Sequence, residues 1–162
     1  MPKYLRVGIA SDHRGYKLKE KLKLFLVRNS YKVFDYGVFS PDRADYPEIA
    51  FNLCHHIRNI PHPQKPTIDI GILICGSGLG MSISANKVPG IRAALCLTPK
   101  FAKRAREHNN ANVLVLAADF TNYQTAQKIV KVFFATPFTG GRHAKRIQQI
   151  KEYEKLRIDS IK

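Results

Sequence analysis

Short apolar runs alternate with amphipathic segments along almost the whole chain, and this order limits the possible folds more than any other feature of the sequence. Residues 68–75 are apolar at nearly every position, as expected for a strand that is buried on both faces. Strands that alternate with helices build parallel sheets with helices on both faces. The sequence therefore predicts an α/β protein with a five-stranded parallel sheet and a C-terminal helix.

The boundaries of these elements follow from apolar periodicity and from turn residues. Strands are predicted at residues 5–10, 31–36, 68–75, 91–96 and 112–118, and helices at residues 15–28, 47–58, 79–87, 99–108, 122–135 and 143–158. Asp45, Thr98 and Thr121 precede three of these helices and are predicted to cap them. The proline-rich segment 61–66 is predicted to be a surface loop. The chain has 162 residues and no linker that could separate two cores, so one domain over residues 1–162 is expected.

The chain is strongly basic, with 27 Lys and Arg against 12 Asp and Glu and a net charge of +15. Nucleic-acid binding is one interpretation of such a charge. A generally basic surface is the other, and four lysines interleaved along the first helix favour it, because they are predicted to form a solvated face (Lys17, Lys19, Lys21 and Lys23). No aromatic residues interleave with basic ones as a base-stacking surface would require. We therefore expect no nucleic-acid partner, and we expect the positive field to attract a phosphorylated metabolite.

The N-terminal residues contain no apolar core of a secretory signal, and no window offers the roughly 18 apolar residues that a membrane span needs. A cytoplasmic location without membrane contact is therefore expected. The chain has three cysteines, Cys54, Cys75 and Cys96, and an odd number in such a chain predicts free thiols. Two of the three are expected to be buried core residues. A zinc site near Cys54 is disfavoured because the neighbouring histidines match no usual ligand spacing (His55, His56 and His62).

The loops that follow the first and third strands are expected to flank one crevice. Ligands of parallel α/β sheets bind beyond the carboxyl ends of the strands, where the strand order reverses. If strands one and three are neighbours, residues 11–15 and 75–80 lie together there. The second segment reads Cys-Gly-Ser-Gly-Leu-Gly between a buried strand and a helix, so its backbone N–H groups can converge on an anion. A tight turn without a ligand is the alternative.

Three side chains are candidates for proton transfer. Cys75 lies at the start of the glycine-rich loop, where the following helix is expected to lower the thiol pKa and make it a base. A buried core thiol is the alternative. His13 and His108 are acid–base candidates because imidazole titrates near pH 7, although each could instead interact with a helix dipole.

Arg142 and Arg146 share one face of the last helix, either as a phosphate clamp or as a solvated surface.

Taken in order, six segments resemble the type B ribose-5-phosphate isomerase family, which also contains the galactose-6-phosphate isomerase subunits. They are Ser11-Asp12-His13, Asp45-Tyr46-Pro47, residues 71–87, Gly90-Ile91-Arg92-Ala93, His108-Asn109-Asn110, and Gly141-Arg142-His143 with Arg146. The resemblance covers residues 5–155. It implies a five-stranded Rossmann-like three-layer sandwich and a homodimer or tetramer of dimers, with active sites between two subunits. It implies no metal and no organic cofactor.

The implied reaction interconverts ribose 5-phosphate and ribulose 5-phosphate through an enediolate, as part of the pentose phosphate pathway. Some members carry a glutamate base after the glycine loop, but this chain has Met81 there, so it resembles the branch in which Cys75 is the base. His108, with Asp12 nearby, would open the sugar ring. The resemblance also implies contacts with the substrate from the Ser77 hydroxyl and from the backbone amides of the glycine-rich loop (Gly76, Ser77, Gly78, Leu79 and Gly80). Asp12 and Tyr46 would contact the substrate as well, and Asn109 would hold the sugar hydroxyls. The phosphate would be bound by His13, Arg142 and Arg146.

The chain departs from the family pattern at Asp119. Members usually carry a phosphate-binding arginine eleven residues after the catalytic histidine, and counting from His108 gives Asp119. We expect this carboxylate to turn away or to pair with an arginine, and Arg14 is the best candidate to replace the missing cation. A six-carbon substrate such as galactose 6-phosphate or allose 6-phosphate remains an alternative. So does a non-catalytic protein that binds sugar phosphates or nucleic acid.

Overall fold

The computed structural model describes residues 5–57 and 68–159, which form five strands and six helices. In chain order they are β1 (Arg6–Ser11), α1 (Tyr16–Arg28), β2 (Lys32–Asp35), α2 (Tyr46–Cys54), β3 (Ile70–Cys75), α3 (Leu79–Ala85), β4 (Ala93–Leu95), α4 (Pro99–Asn109), β5 (Val113–Ala117), α5 (Tyr123–Ala135) and α6 (Arg142–Asp159). All strand pairs are parallel, in the order β2-β1-β3-β5-β4. The predicted α/β fold with a five-stranded parallel sheet and a C-terminal helix is confirmed.

The strand order reverses between β1 and β3. These two strands are direct neighbours, with Ser11 opposite Ile74. Beyond the ladder, the Asp12 N–H donates to the Ile74 carbonyl at 3.1 Å. On the other side of β3, the Ala118 N–H donates to the Cys75 carbonyl at 2.9 Å. The loops after β1, β3 and β5 therefore meet at one edge of the sheet, as the sequence predicts for the first two.

Helices cover both faces of the sheet and produce three layers. Side chains of α1, α4 and α5 pack with one face in one apolar cluster, and those of α2 and α3 pack with the opposite face in another. Successive strand residues point to opposite faces. Ile72 and Ile74 therefore join the first cluster, while Leu73 and Cys75 join the second. This alternation places the Cys75 side chain on the side of the sheet that carries α3.

Two of the three predicted helix caps differ from expectation. The Thr98 hydroxyl accepts a hydrogen bond from the Phe101 N–H at 3.3 Å, as predicted. At α5 the predicted cap is wrong, because the Asn122 side chain accepts from the Thr125 N–H at 2.8 Å and Thr121 is buried one residue earlier. Asp45 occupies the cap position of α2, but its side chain makes no capping hydrogen bond.

The prediction that all four α1 lysines face solvent is wrong for Lys19. This side chain is fully buried, and its ammonium donates to both carboxylate oxygens of Asp35 at 2.7 and 2.8 Å. Glu20 lies 3.0 Å from the same nitrogen. Residues two apart point in different directions on a helix with 3.6 residues per turn. Lys17 and Lys21 are exposed, whereas Lys19 turns toward β2.

The remaining element boundaries agree with the sequence within a few residues. β4 is shorter than predicted because the Ile91 N–H bonds to Val88 and the Arg92 N–H bonds to the Asn112 side chain, instead of joining the ladder. The predicted extension of the second helix to Arg58 is wrong, because α2 ends at Cys54. The N–H groups of His56 and Ile57 bond to carbonyls three residues earlier, and Ile57 forms a parallel bridge with Ile68. The predicted loop at residues 61–66 lies outside the described residues. Among the helices that the structure describes, none has the length and apolar character needed to cross a membrane.

Candidate active site

An open cavity of about 400 Å³ lies above the carboxyl ends of β1, β3 and β5. Its walls come from the loops after these three strands, from the first residue of α2 and from the first turn of α3. The lining residues are Asp12, Arg14, Tyr46, Cys75, Gly76, Ser77, Gly80, Asp119 and Phe120. Six of the predicted site residues therefore share one cavity. Phe120, which is 72% exposed, was not predicted, although its position just after β5 follows the same rule as the loops after β1 and β3.

Cys75 forms the floor of this cavity and is only 4% exposed. Burial raises the pKa of its thiol, and the charges of Asp12 and Asp119 raise it further. Hydrogen bonds from the backbone N–H groups of Met81 and Gly78 act in the opposite direction but do not prevail. The predicted lowering of the thiol pKa is therefore wrong. The amides at the start of α3 reach the sulfur, but desolvation outweighs them.

The glycine-rich loop approaches its neighbours too closely for larger side chains. Gly78 has φ +76°, and a Cβ at this position would lie 2.4 Å from a methyl carbon of Leu95. A Cβ at Gly80 would lie 2.6 Å from the Tyr46 ring. The Ser77 hydroxyl accepts a hydrogen bond from the Leu79 N–H at 3.3 Å. Glycine at these positions thus keeps the loop backbone close to the wall formed by Tyr46.

The loop after β1 is held by the Asp12 carboxylate. Its Oδ1 atom accepts hydrogen bonds from the N–H groups of Arg14 and Gly15 at 3.0 Å each, and the residue is 5% exposed. In the same loop, Nδ1 of His13 accepts from the Ala44 N–H at 3.4 Å. A neutral ring with this acceptor carries its proton on Nε2. Asp12 is therefore a fixed carboxylate of the cavity, and His13 is oriented by the loop that precedes α2.

Asp119 pairs with Arg14, which confirms the predicted response to the charge change at this position. A terminal guanidinium nitrogen of Arg14 lies 2.6 Å from Oδ2 of Asp119. The partners belong to the loops after β1 and β5, and the pair crosses the loop after β3 between them. It stands at the rim of the cavity, beside Cys75 and Gly76.

Four predicted residues form a second cluster at the opposite edge of the sheet (His108, Asn109, Arg142 and Arg146). The His108 ring stacks on His143 with centroids 4.1 Å apart, and Nη1 of Arg104 lies 3.2 Å from Nε2 of His108. Burial lowers the pKa of His143, and the neighbouring His108, Arg142 and Arg146 lower it further. His143 and Arg104 were not predicted as contacts of His108. The stacking partner belongs to the Gly141-Arg142-His143 segment, whereas the Arg104 contact follows from its position one helical turn before His108.

The two clusters are separated by the length of the strands. Nε of Arg92, just before β4, donates to the carbonyls of Asn109 and Asn110 at 3.0 Å each. This fixes the end of α4 beside the start of β4, whereas Cys75 ends β3. The five residues of β5 alone span roughly 15 Å. Within one chain, His108, Asn109, Arg142 and Arg146 therefore do not line the cavity, and the predicted proximity of His108 to Asp12 requires a second chain.

Cys54 and Cys96 are free thiols of the core, as predicted. Both are fully buried, and burial raises the pKa of each to about 12. Across residues 5–57 and 68–159, no three His, Cys, Asp or Glu side chains are grouped as metal ligands. His62, which belongs to the weighed zinc arrangement, lies outside these residues.

Comparison with known proteins identifies closely similar chains. A protein-family model described as Ribose/Galactose Isomerase matches residues 7–150. Ribose-5-phosphate isomerase B of Escherichia coli is 36% identical over 152 residues, covering 94% of this chain and 98% of that protein. The crystal structure of a ribose 5-phosphate isomerase from Thermotoga maritima has a TM-score of 0.86 and 47% identity, covering 91% of this chain and 98% of that one.

A second similar structure contains a sugar phosphate. Ribose-5-phosphate isomerase B from Mycoplasma genitalium, with bound ribulose-5-phosphate, has a TM-score of 0.86 and 41% identity. The match covers 93% of this chain and 97% of that chain. The similarity thus extends over nearly the full length of each protein.

Proposed function

The chain belongs to the ribose/galactose isomerase family, and on this basis we propose that it interconverts ribose 5-phosphate and ribulose 5-phosphate. The reaction is an aldose–ketose isomerisation. The observation that carries the proposal is the position of Cys75 at the floor of a cavity above β3, with carboxylate, hydroxyl and glycine-loop groups around it. Such a cavity supplies a base and hydrogen-bond donors for a reaction that moves one proton between adjacent carbons.

Cys75 is the proposed base. Its thiolate takes the proton from C2 of the open-chain aldose, and the C–H electron pair forms the C1–C2 double bond of an enediolate with the negative charge on O1. Return of the proton to C1, and transfer of the O2 hydroxyl proton to O1, give the ketose. A raised pKa makes the thiolate a stronger base but reduces the fraction that is ionised at neutral pH.

The glycine-rich loop is the proposed site of charge stabilisation. Negative charge develops on O1 as the enediolate forms, and preorganised donors stabilise such charge without reorganisation. The amides of residues 76–80 and the Ser77 hydroxyl are the proposed donors, although the amides of Gly78 and Leu79 also hydrogen-bond within the chain. Asp12 and Tyr46, which also line the cavity, are proposed to contact the sugar hydroxyls.

We propose that a second subunit completes the site, in a homodimer or a tetramer of dimers. Ring opening needs an acid–base group, and the phosphate needs cations, but His108, Arg142 and Arg146 stand at the far edge of the sheet in the same chain. A partner that places this cluster over the cavity would supply His108 for ring opening, Asn109 for the hydroxyls, and both arginines, with His13, for the phosphate. The open form of the cavity supports this arrangement.

An isomerase assay tests the function directly. Purified protein is incubated with ribose 5-phosphate, ribulose 5-phosphate, allose 6-phosphate and galactose 6-phosphate in separate reactions, and the products are identified by chromatography. We expect the highest kcat/KM with the five-carbon pair and nearly complete loss in Cys75→Ala. A higher kcat/KM with a six-carbon substrate would contradict the proposed substrate, and no turnover with any of the four sugar phosphates would favour a binding protein.

We further propose that the enzyme works in the cytoplasm and without a cofactor.

A further inference from the structure

The Arg14–Asp119 ion pair stands at the rim of the cavity, beside the loop after β3. A Cβ added at Gly76 would lie 2.5 Å from Nε of Arg14 and 2.8 Å from Oδ2 of Asp119. The pair therefore rests directly on the backbone of the residue that follows Cys75. Its position depends on glycine at that point, because any side chain there would displace both partners.

The charges around the cavity are unbalanced without this arginine. Among the described residues that line it, Asp12 and Asp119 are anionic, and Arg14 is the only Lys or Arg. A sugar phosphate carries nearly two negative charges at neutral pH. Two carboxylates with no cation would repel such a ligand, so the guanidinium is the group of this chain that can attract it to the cavity.

The ion pair leaves much of the guanidinium available. One terminal nitrogen donates to Oδ2 of Asp119, and no other hydrogen bond from this side chain occurs among the described residues. Guanidinium carries five N–H donors in a planar fork that matches phosphate oxygens bidentately. A carboxylate bound to one nitrogen restricts the rotation of the fork, while the remaining donors can face the cavity.

A purely stabilising role does not account for the pair. The Arg14 side chain is 58% exposed and that of Asp119 is 38% exposed, so solvent screens their attraction. Lys17 and Lys21, which flank Arg14 in an adjoining concavity, add positive charge on its outer side. The pair thus leaves the guanidinium accessible at the rim of the cavity and does not bury it for stability.

We propose that Arg14 binds the phosphate of the substrate and that Asp119 is its positioning residue. This inference rests on the proposed function. It assigns to the Cys75-bearing subunit a phosphate-binding cation of its own, in addition to the cluster at the opposite edge of the sheet. Removal of Arg14 weakens binding of the ground state, and removal of Asp119 weakens it less, because the cation remains but is no longer held.

The test compares Arg14→Ala and Asp119→Asn with Arg28→Ala, which removes an exposed arginine at the far end of α1. We expect Arg14→Ala to raise KM for ribose 5-phosphate by roughly ten- to a hundredfold, as the loss of a charge-assisted hydrogen bond implies, with a smaller change in kcat. Asp119→Asn should raise KM less than Arg14→Ala, and Arg28→Ala should leave both constants within twofold. In Arg14→Ala/Asp119→Arg, a guanidinium supplied from the β5 loop should recover part of the lost affinity.

Binding without turnover separates this inference from the proposed function. Ribose 5-phosphate is titrated calorimetrically into Cys75→Ala and into Cys75→Ala/Arg14→Ala, and the inference requires weaker binding in the second protein whether or not the wild type isomerises this sugar. Equal affinities in these two proteins overturn it. So does an Arg14→Ala enzyme that loses kcat at unchanged KM, because the arginine would then act on charge that develops during the reaction.

Discussion

Raising the pH should accelerate alkylation of Cys75 across the neutral range. Burial and two carboxylates raise its thiol pKa above the ordinary value of 9.0. Such a thiol is mostly protonated at pH 7, and the thiolate fraction increases with pH until the pKa is reached. Because only the thiolate reacts, the rate of alkylation should follow the same increase.

Iodoacetamide labelling followed by mass spectrometry measures this rate at each cysteine separately. Cys54 and Cys96 are internal references, since both are fully buried and have thiol pKa values of about 12, so neither should react in the native protein. Cys75→Ala is the control for assignment of the labelled peptide. The kcat/KM for ribose 5-phosphate should rise with pH in parallel, because the same thiolate is the proposed base.

The carboxylate contribution can be separated from that of burial. Asp119→Asn removes one of the two charges that raise the Cys75 pKa, so its alkylation profile should move to lower pH. An alkylation rate in the wild type that is already half-maximal near pH 7 would refute the reasoning. The amides of Gly78 and Met81 would then stabilise the thiolate more than desolvation and the carboxylates destabilise it.

Three further outcomes follow from the same structure. His108→Asn should lower kcat for ribose 5-phosphate more than kcat for ribulose 5-phosphate, because the ketose is already an open chain. Initial rates in both directions measure this difference, and a fully active variant would contradict ring opening by His108. Light scattering at the assay concentration should give at least the mass of a dimer, and an active monomer would disprove the shared site. Lys19→Met should lower the free energy of unfolding by about 3 kcal/mol, because it breaks a buried ion pair with Asp35, which then keeps only its contact with Lys23. Urea denaturation measures this change, with Lys17→Met at an exposed position as the control. Equal stability of the two variants would contradict the prediction.

The order of the elements could be predicted because each strand is an apolar run between turn residues. The sequence is less informative where a side chain finds its partner far along the chain. Lys19 resembles its exposed neighbours in sequence, and only the pairing of β1 with β2 brings Asp35 to it. At the start of α5, Thr121 and Asn122 are both good capping residues, and tertiary packing buries the first.

The contents of the site could be predicted better than its electrostatics. The loops after β1 and β3 were expected to meet because parallel strands end at a common edge. The effect on Cys75 could not be inferred, because local sequence reveals the helix amides but neither the depth of burial nor the carboxylates brought in by β1 and β5. The pairing of Asp119 with Arg14 was predictable because a carboxylate in a crevice that is predicted to bind anions needs a cation beside it.

The separation of Cys75 and His108 onto opposite edges of the sheet has a genetic consequence if the site is shared between subunits. Each polypeptide then contributes Cys75 to one site and His108 to the other. A substitution of one of these residues therefore leaves the contribution of that chain to the other site intact. A chain that lacks the thiol and a chain that lacks the imidazole, when assembled together, would form one intact site and one doubly defective site. Two inactive alleles could thus complement each other, with random pairing restoring about a quarter of the normal sites in a twofold-symmetric dimer.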